Sequence, residues 1–153
     1  MSEKASVHQL RLVLQVDDID AAAAFYRDAL GLTEQAAFEG AGDARVLILN
    51  AGIATLELAN AAQVRMIDGI EADGQPSARM RVAFEVDDSA ASTDDLVSAG
   101  AALIASPRET PWRSLNARLL APDGTQLTLF QELESLEERS SRDGFTAPDE
   151  RRE

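Results

Sequence analysis

Arg11 and Arg81 open two matching stretches, RLVLQVDD and RVAFEVDD, and stand 70 residues apart. A guanidinium keeps its charge at any physiological pH and offers a planar fork of donors that suits carboxylates and other anions. Glu57, in TLELA, is an acid of the right kind to meet them. Two arginines around one carboxylate could form a charge network that holds two sheets in register. Alternatively, one arginine could stay partly free and clamp an anionic ligand. Glu57 could also act as a general base, although flanking cations would keep it ionised and weak.

Other pairings of reactive residues are less productive. The chain has no cysteine, which excludes disulfides, thiolate zinc sites and thiol nucleophiles. A Ser-His-Asp triad would have to use the lone His8. His8 is three residues from Arg11, and an odd offset along a strand points it to the other face. Asp17/Asp18 and Asp87/Asp88 resemble two-carboxylate chemistry, but both pairs stand at helix starts, where capping and dipole pairing account for them. No catalytic residue is assigned.

The elements that must position these groups follow from periodicity. Residues 7–17 alternate, with Leu10, Leu12, Leu14 and Val16 on one strand face and Arg11, Val13 and Gln15 on the other. Asp18 then caps a helix in which Ile19, Ala22, Ala23, Tyr26 and Leu30 recur at helical spacing, and Gly31 closes it. Strand-like runs follow near 33–39, 44–49 and 53–59. After AAQVRMIDGIE and a linker through Gly74 and Pro76, the order restarts at the constant offset of 70. Runs near 102–107, 114–120 and 125–131 complete the second copy, with PDG at 122–124 as a turn. Two copies are too few for a stacked array.

The expected fold is α+β, with two βαβββ modules forming paired, curved four-stranded sheets around a cleft. The boundaries are 7–60 for the first module and 61–79 for a connecting helix and linker. The second module covers 80–132, and a polar tail covers 133–153, with a short helix at ESLEERSS and Phe145 as its one docking residue. On each strand the apolar face should meet helices. The opposite faces carry Arg11 and Gln15, Glu57, Arg81 and Glu85, and Thr128. These are the expected ligand-binding residues, together with Trp112. Phe38, Met66 and Phe130 add apolar lining, and Asn116 and Arg118 share a strand face from which either could reach the cleft. A plain solvated sheet face is the competing possibility.

Composition limits the partners. The net charge is −13, of which residues 132–153 carry −4 and the body −9. Nucleic-acid binding needs clustered Lys and Arg to neutralise phosphates, and no such patch is present. The apolar runs are strand-sized, so no membrane span is expected. MSEKASVHQL lacks an apolar core of a secretory signal, and a cytoplasmic address follows by default.

Three stretches, LQVDDIDAAAAFYRDALGL, FEVDDSAASTDDLVSAG and TPWRSLNARLLAPDGTQLTLFQ, resemble the vicinal oxygen chelate superfamily. That superfamily includes glyoxalases, extradiol dioxygenases and bleomycin-resistance proteins. The FY pair before LGL and the PDG turn before a strand are shared features, and the likeness spans roughly 8–132. It implies the fold, a homodimer, and a wall or gate role for Trp112, with satellite packing as the alternative for that residue. In metal-using members each module supplies a ligand from its first and last strands, usually His and then Glu. The resemblance carries these positions to Arg11, Glu57, Arg81 and Thr128. Arginine has no lone pair to donate, so no metal and no cofactor is expected. Metal-free binding of a small organic ligand is the expected function, as in resistance-type members. The alternatives are a lyase, isomerase or dioxygenase with an atypical metal site or arginine-assisted proton transfer, and a non-catalytic structural paralogue.

Overall fold

A computed structural model describes residues 6–24, 27, 32–121 and 124–145. Eight strands form one sheet in the order β2-β3-β4-β1-β5-β8-β7-β6. The first half contains β1 (Val7–Gln15), α1 (Ile19–Ala23), β2 (Glu34–Glu39), β3 (Arg45–Ala51) and β4 (Ala54–Ala59). After α2 (Ala61–Ala72), the second half contains β5 (Met80–Val86), α3 (Ser89–Ser98), β6 (Ala102–Glu109), β7 (Ser114–Leu120) and β8 (Gln126–Glu132). A last helix, α4 (Leu136–Ser140), follows. Each half is therefore strand, helix, three strands. The first strand pairs parallel with the last in both halves, β1 with β4 and β5 with β8. The halves join where β1 and β5 run antiparallel.

The aspartates at the two helix starts do what their position predicts. Asp18 Oδ1 accepts from the Ala21 amide and Asp88 Oδ1 from the Ala91 amide, each at 2.9 Å. These bonds satisfy amides that have no partner within the helix. Tyr26, Leu30, Gly31 and the Pro122–Asp123 part of the PDG turn lie outside the described residues.

Alternation along the strands divides the core. Leu12, Leu14, Leu56 and Leu58 pack with Ile19 and Ala23 of α1. In the second half, Phe84, Val86, Leu119 and Leu129 pack with Leu96 of α3. The helices thus cover one sheet face, and the arginine-bearing face is left for α2, which touches β3 and β4 of one half and β6 and β7 of the other.

The segment after β8 carries a short helix, as ESLEERSS suggests, and docks through Phe145. Ser135 and Glu138 form a reciprocal capping box at the start of α4. Phe145 bridges to Ala36 on β2, and its ring meets Phe38 edge-on with centroids 5.7 Å apart. The Ala37 amide donates to the Gly144 carbonyl at 2.7 Å. Residues 146–153 lie outside the described part. Among the described residues no helix is long and apolar enough to cross a membrane.

Candidate functional site

Strand register decides which side chains meet. Across β3, β4, β1 and β5, one row runs Ile48, Glu57, Val13, Arg81. The neighbouring row runs Thr55, Arg11, Ala83, Thr128, Arg118. Arg11 and Arg81 therefore stand diagonally on adjacent strands, and Glu57 lies in the row of Arg81, two strands away across Val13. A cavity of about 270 Å³ opens over these rows.

Arg11, Glu57, Arg81, Trp112 and Thr128 all line this cavity. Phe38, Met66, Phe130 and Asn116 line it as well. Gln15 and Glu85 do not. They stand near opposite ends of the two central strands, Gln15 level with Ala59 and Glu85 level with Gln9 and Phe130. Arg118 lies behind the wall, 1% exposed.

The two arginines differ in how they are held. Arg81 is buried, and its Nη1 donates to Thr128 Oγ1 at 2.5 Å, with Glu71 at 3.9 Å. Burial lowers the pKa of its guanidinium, while Glu71 and Glu57 raise it. Arg11 is held loosely. Its Nε donates to Thr55 at 3.3 Å, its Nη2 to Gln9 at 3.5 Å, and its Nη1 lies 3.4 Å from Glu57. Its guanidinium carbon sits 5.1 Å from the centre of the Phe130 ring, within cation–π range. Charge-assisted bonds are normally 2.7–2.9 Å long, so Arg11 has binding capacity left.

Two contributions to the cavity go beyond the sequence reading, which named only Met66 as lining and Phe145 as a docking residue in these segments. The first is α2, which Asn60 caps by accepting from the Gln63 amide. Gln63, Met66, Ile67 and Glu71 of α2 face the cavity. Their spacing of three, four and eight residues is the available signal, because it puts them on one helical face. Glu71 Oε1 accepts from Asn116 at 2.6 Å and Oε2 from Arg118 at 2.8 Å, while Asp68 accepts from Arg118 at 2.6 Å. The second is the segment after β8, which brings Arg139, Arg142 and Phe145 to the cavity. Arg139 Nη1 lies 3.0 Å from Glu132, and Arg142 pairs with Glu134 while donating to the Trp112 carbonyl at 3.0 Å. Burial raises the pKa of the Glu132 carboxyl, with Arg139 and Arg11 opposing it.

The metal ligation found in this type of fold does not fit these residues. Arg11 and Arg81 cannot ligate, and Thr128 accepts a bond from Arg81. Glu57 alone has a ligand's chemistry. Among the described residues no group of three or more His, Cys, Asp or Glu is placed to hold a metal ion.

Two βαβββ halves, joined through their first strands around a common cleft, define the architecture of the vicinal oxygen chelate proteins. A family model for the glyoxalase/bleomycin resistance protein/dioxygenase superfamily matches residues 8–129, and this chain belongs to that superfamily. No curated protein sequence matches it. Among solved structures, a hypothetical protein from Bacillus halodurans C-125 is similar, with a TM-score of 0.62 and 14% identity over 87% of this chain and 98% of that one. Methylmalonyl-CoA epimerase from Mycobacterium tuberculosis gives 0.56 at 19% identity, over 86% and 91%. A mutant of 4-hydroxymandelate synthase from Streptomyces coelicolor gives 0.59 at 22% identity, over 92% of this chain but only 44% of the synthase. At these identities the likeness is one of fold.

Proposed function

We propose that this protein binds a small organic ligand in the cavity between its two halves, without a metal ion. The supporting observation is the pair Arg11 and Arg81, cations at the two places where the resemblance sets metal-ligating imidazoles. Two guanidinium groups would repel a divalent cation, while the apolar wall and a few convergent polar groups are what small-ligand pockets require. The test is metal analysis of protein purified without chelators, followed by a thermal-shift screen of small carboxylates, amides, amines and aromatic metabolites with and without EDTA. Ligands that raise Tm equally in both conditions support the reading. Stoichiometric metal held through Glu57, or ligand binding that EDTA abolishes, overturns it.

A second reading, arginine-assisted proton transfer in a lyase or isomerase, has one observation in its favour. Glu132 lines the same cavity and has a pKa raised by burial, as suits a proton-transferring carboxyl. Deuterium incorporation from D₂O into a ligand found by the screen, lost in Glu132→Gln, is the signature it requires.

A further inference from the structure

The geometry points to an uncharged ligand whose polar edge carries one acceptor beside one donor, as in a carboxamide or lactam, on a flat apolar body. This inference rests on the metal-free binding reading and specifies what the site selects.

The cavity contains many charges but has a carboxylate for each cation. Arg11 faces Glu57, Arg81 faces Glu71, Arg139 faces Glu132, and Arg142 faces Glu134. Arg118 and Asp68, behind the wall, balance one another. A ligand with a net charge would enter a site whose own charges already cancel. An anion would also have to approach a protein of net charge −13.

Arg11 and Glu57 are the pair able to admit a guest. Their 3.4 Å separation contrasts with the 2.6 and 2.8 Å bonds that tie Arg118 to Asp68 and Glu71. Among the described residues no hydrogen bond reaches the Glu57 carboxylate. A ligand carbonyl could accept from Arg11 while the adjacent N–H donates to Glu57, and both bonds would be charge-assisted. A carboxylate in the same place would satisfy Arg11 and repel Glu57, and an ammonium would do the reverse.

The surroundings suit a flat body. The Arg11 guanidinium carbon lies over the Phe130 ring, and Val13, Ile48, Phe38 and Phe130 itself are apolar walls of the same cavity. At about 270 Å³ the space is slightly below the usual range for drug-sized ligands, which fits a small ring system.

Benzamide, benzoate and benzylamine share a ring and differ in charge, so their affinities for the full chain, measured by calorimetry, test the inference. Benzamide should bind tighter than either by about tenfold, the factor that corresponds to ~1.4 kcal/mol for one satisfied bond. In Glu57→Gln the preference should move toward benzoate, and in Arg11→Gln toward benzylamine, each by a similar factor. Tighter binding of benzoate or benzylamine to the parent protein overturns the inference and leaves metal-free binding standing. If none of the three binds, or if the screened ligands prove to be charged, the inference also falls. A metal requirement, seen in the EDTA comparison, is the separate result that removes the reading beneath it.

Discussion

Arg118 on β7 donates to Glu71 on α2 at 2.8 Å, and both side chains are sealed from water, 1% and 4% exposed. The contact ties the roofing helix to the second half of the sheet. Glu71 also accepts from Asn116 and faces Arg81, so it joins three strand residues to one helix. Met at position 118 would fill the space and leave Asp68 and Glu71 without their closest cation. Breaking a buried pair from one side typically costs about 3–5 kcal/mol, because the abandoned charge remains in a poor solvent. Arg118→Met should therefore lose roughly that much stability in urea unfolding. Asp68→Asn, which leaves the Glu71 bond intact, should lose clearly less. Equal losses would show that Glu71 contributes nothing to the tie.

The docking of the last segment depends on Gly144. Its φ is +105°, a left-handed value that an L side chain rarely adopts. A Cβ there would lie inside van der Waals contact with the Phe38 ring and 2.7 Å from the Ala37 carbonyl oxygen. Gly144→Ala should therefore lift Phe145 off β2 and loosen residues 133–145, at a cost of about 1–3 kcal/mol. The single tryptophan, Trp112, is a convenient reporter because its carbonyl accepts from Arg142 of that segment. Faster proteolysis near the C-terminal end and a red-shifted emission are expected. Parent-like values for both would mean that the ring contact is dispensable.

How much was legible in the sequence divides along a physical line. Strand alternation placed Arg11, Glu57, Arg81 and Thr128 on one face, because side-chain direction in a strand follows from counting by two. Helix starts were legible because Asp18 and Asp88 act on amides three residues away. Distances between elements were not legible in the same way. Nothing local to AAQVRMIDGIE says that Asp68 and Glu71 will meet Arg118 rather than water. Periodicity marks a face as apolar or mixed, and tertiary packing decides what that face covers. The segment 133–145 looked polar for the same reason. Its arginines are legible as charges, and their pairing with Glu132, Glu134 and the Trp112 carbonyl depends on tertiary packing. Gln15 and Glu85 have the right parity to share the cavity face, but parity does not locate the cavity along the strand.

The remaining prediction concerns pH and Glu132. Burial raises the pKa of this carboxyl in the folded protein above its value in the unfolded chain, which is roughly 4.3 for an unperturbed glutamate. Between those two values the folded state holds the proton and the unfolded state has released it. The number of bound protons is then greater in the folded state, and stability must fall as pH rises through this window. The contribution is fully present below the unfolded value and lost above the folded one. Exposed acids with lowered values, such as Asp20 beside Arg45 and Asp73 beside Arg108, tilt the curve in the opposite direction at lower pH. The quantity to measure is therefore the difference between parent and Glu132→Gln, followed by urea unfolding from about pH 4 to 8. Glutamine cannot titrate and keeps the shape, so the parent should lose stability relative to the variant as pH rises. Arg139 works against that slope, because removing its partner charge penalises the variant at every pH where Glu132 is ionised. The pairing acts on the ionised carboxylate alone, so it lessens the fall with pH that desolvation imposes. A difference that grows in the parent's favour with rising pH would mean that Arg139 outweighs burial, and the carboxyl would then be an ordinary ion-pair partner with no stored proton to offer a ligand.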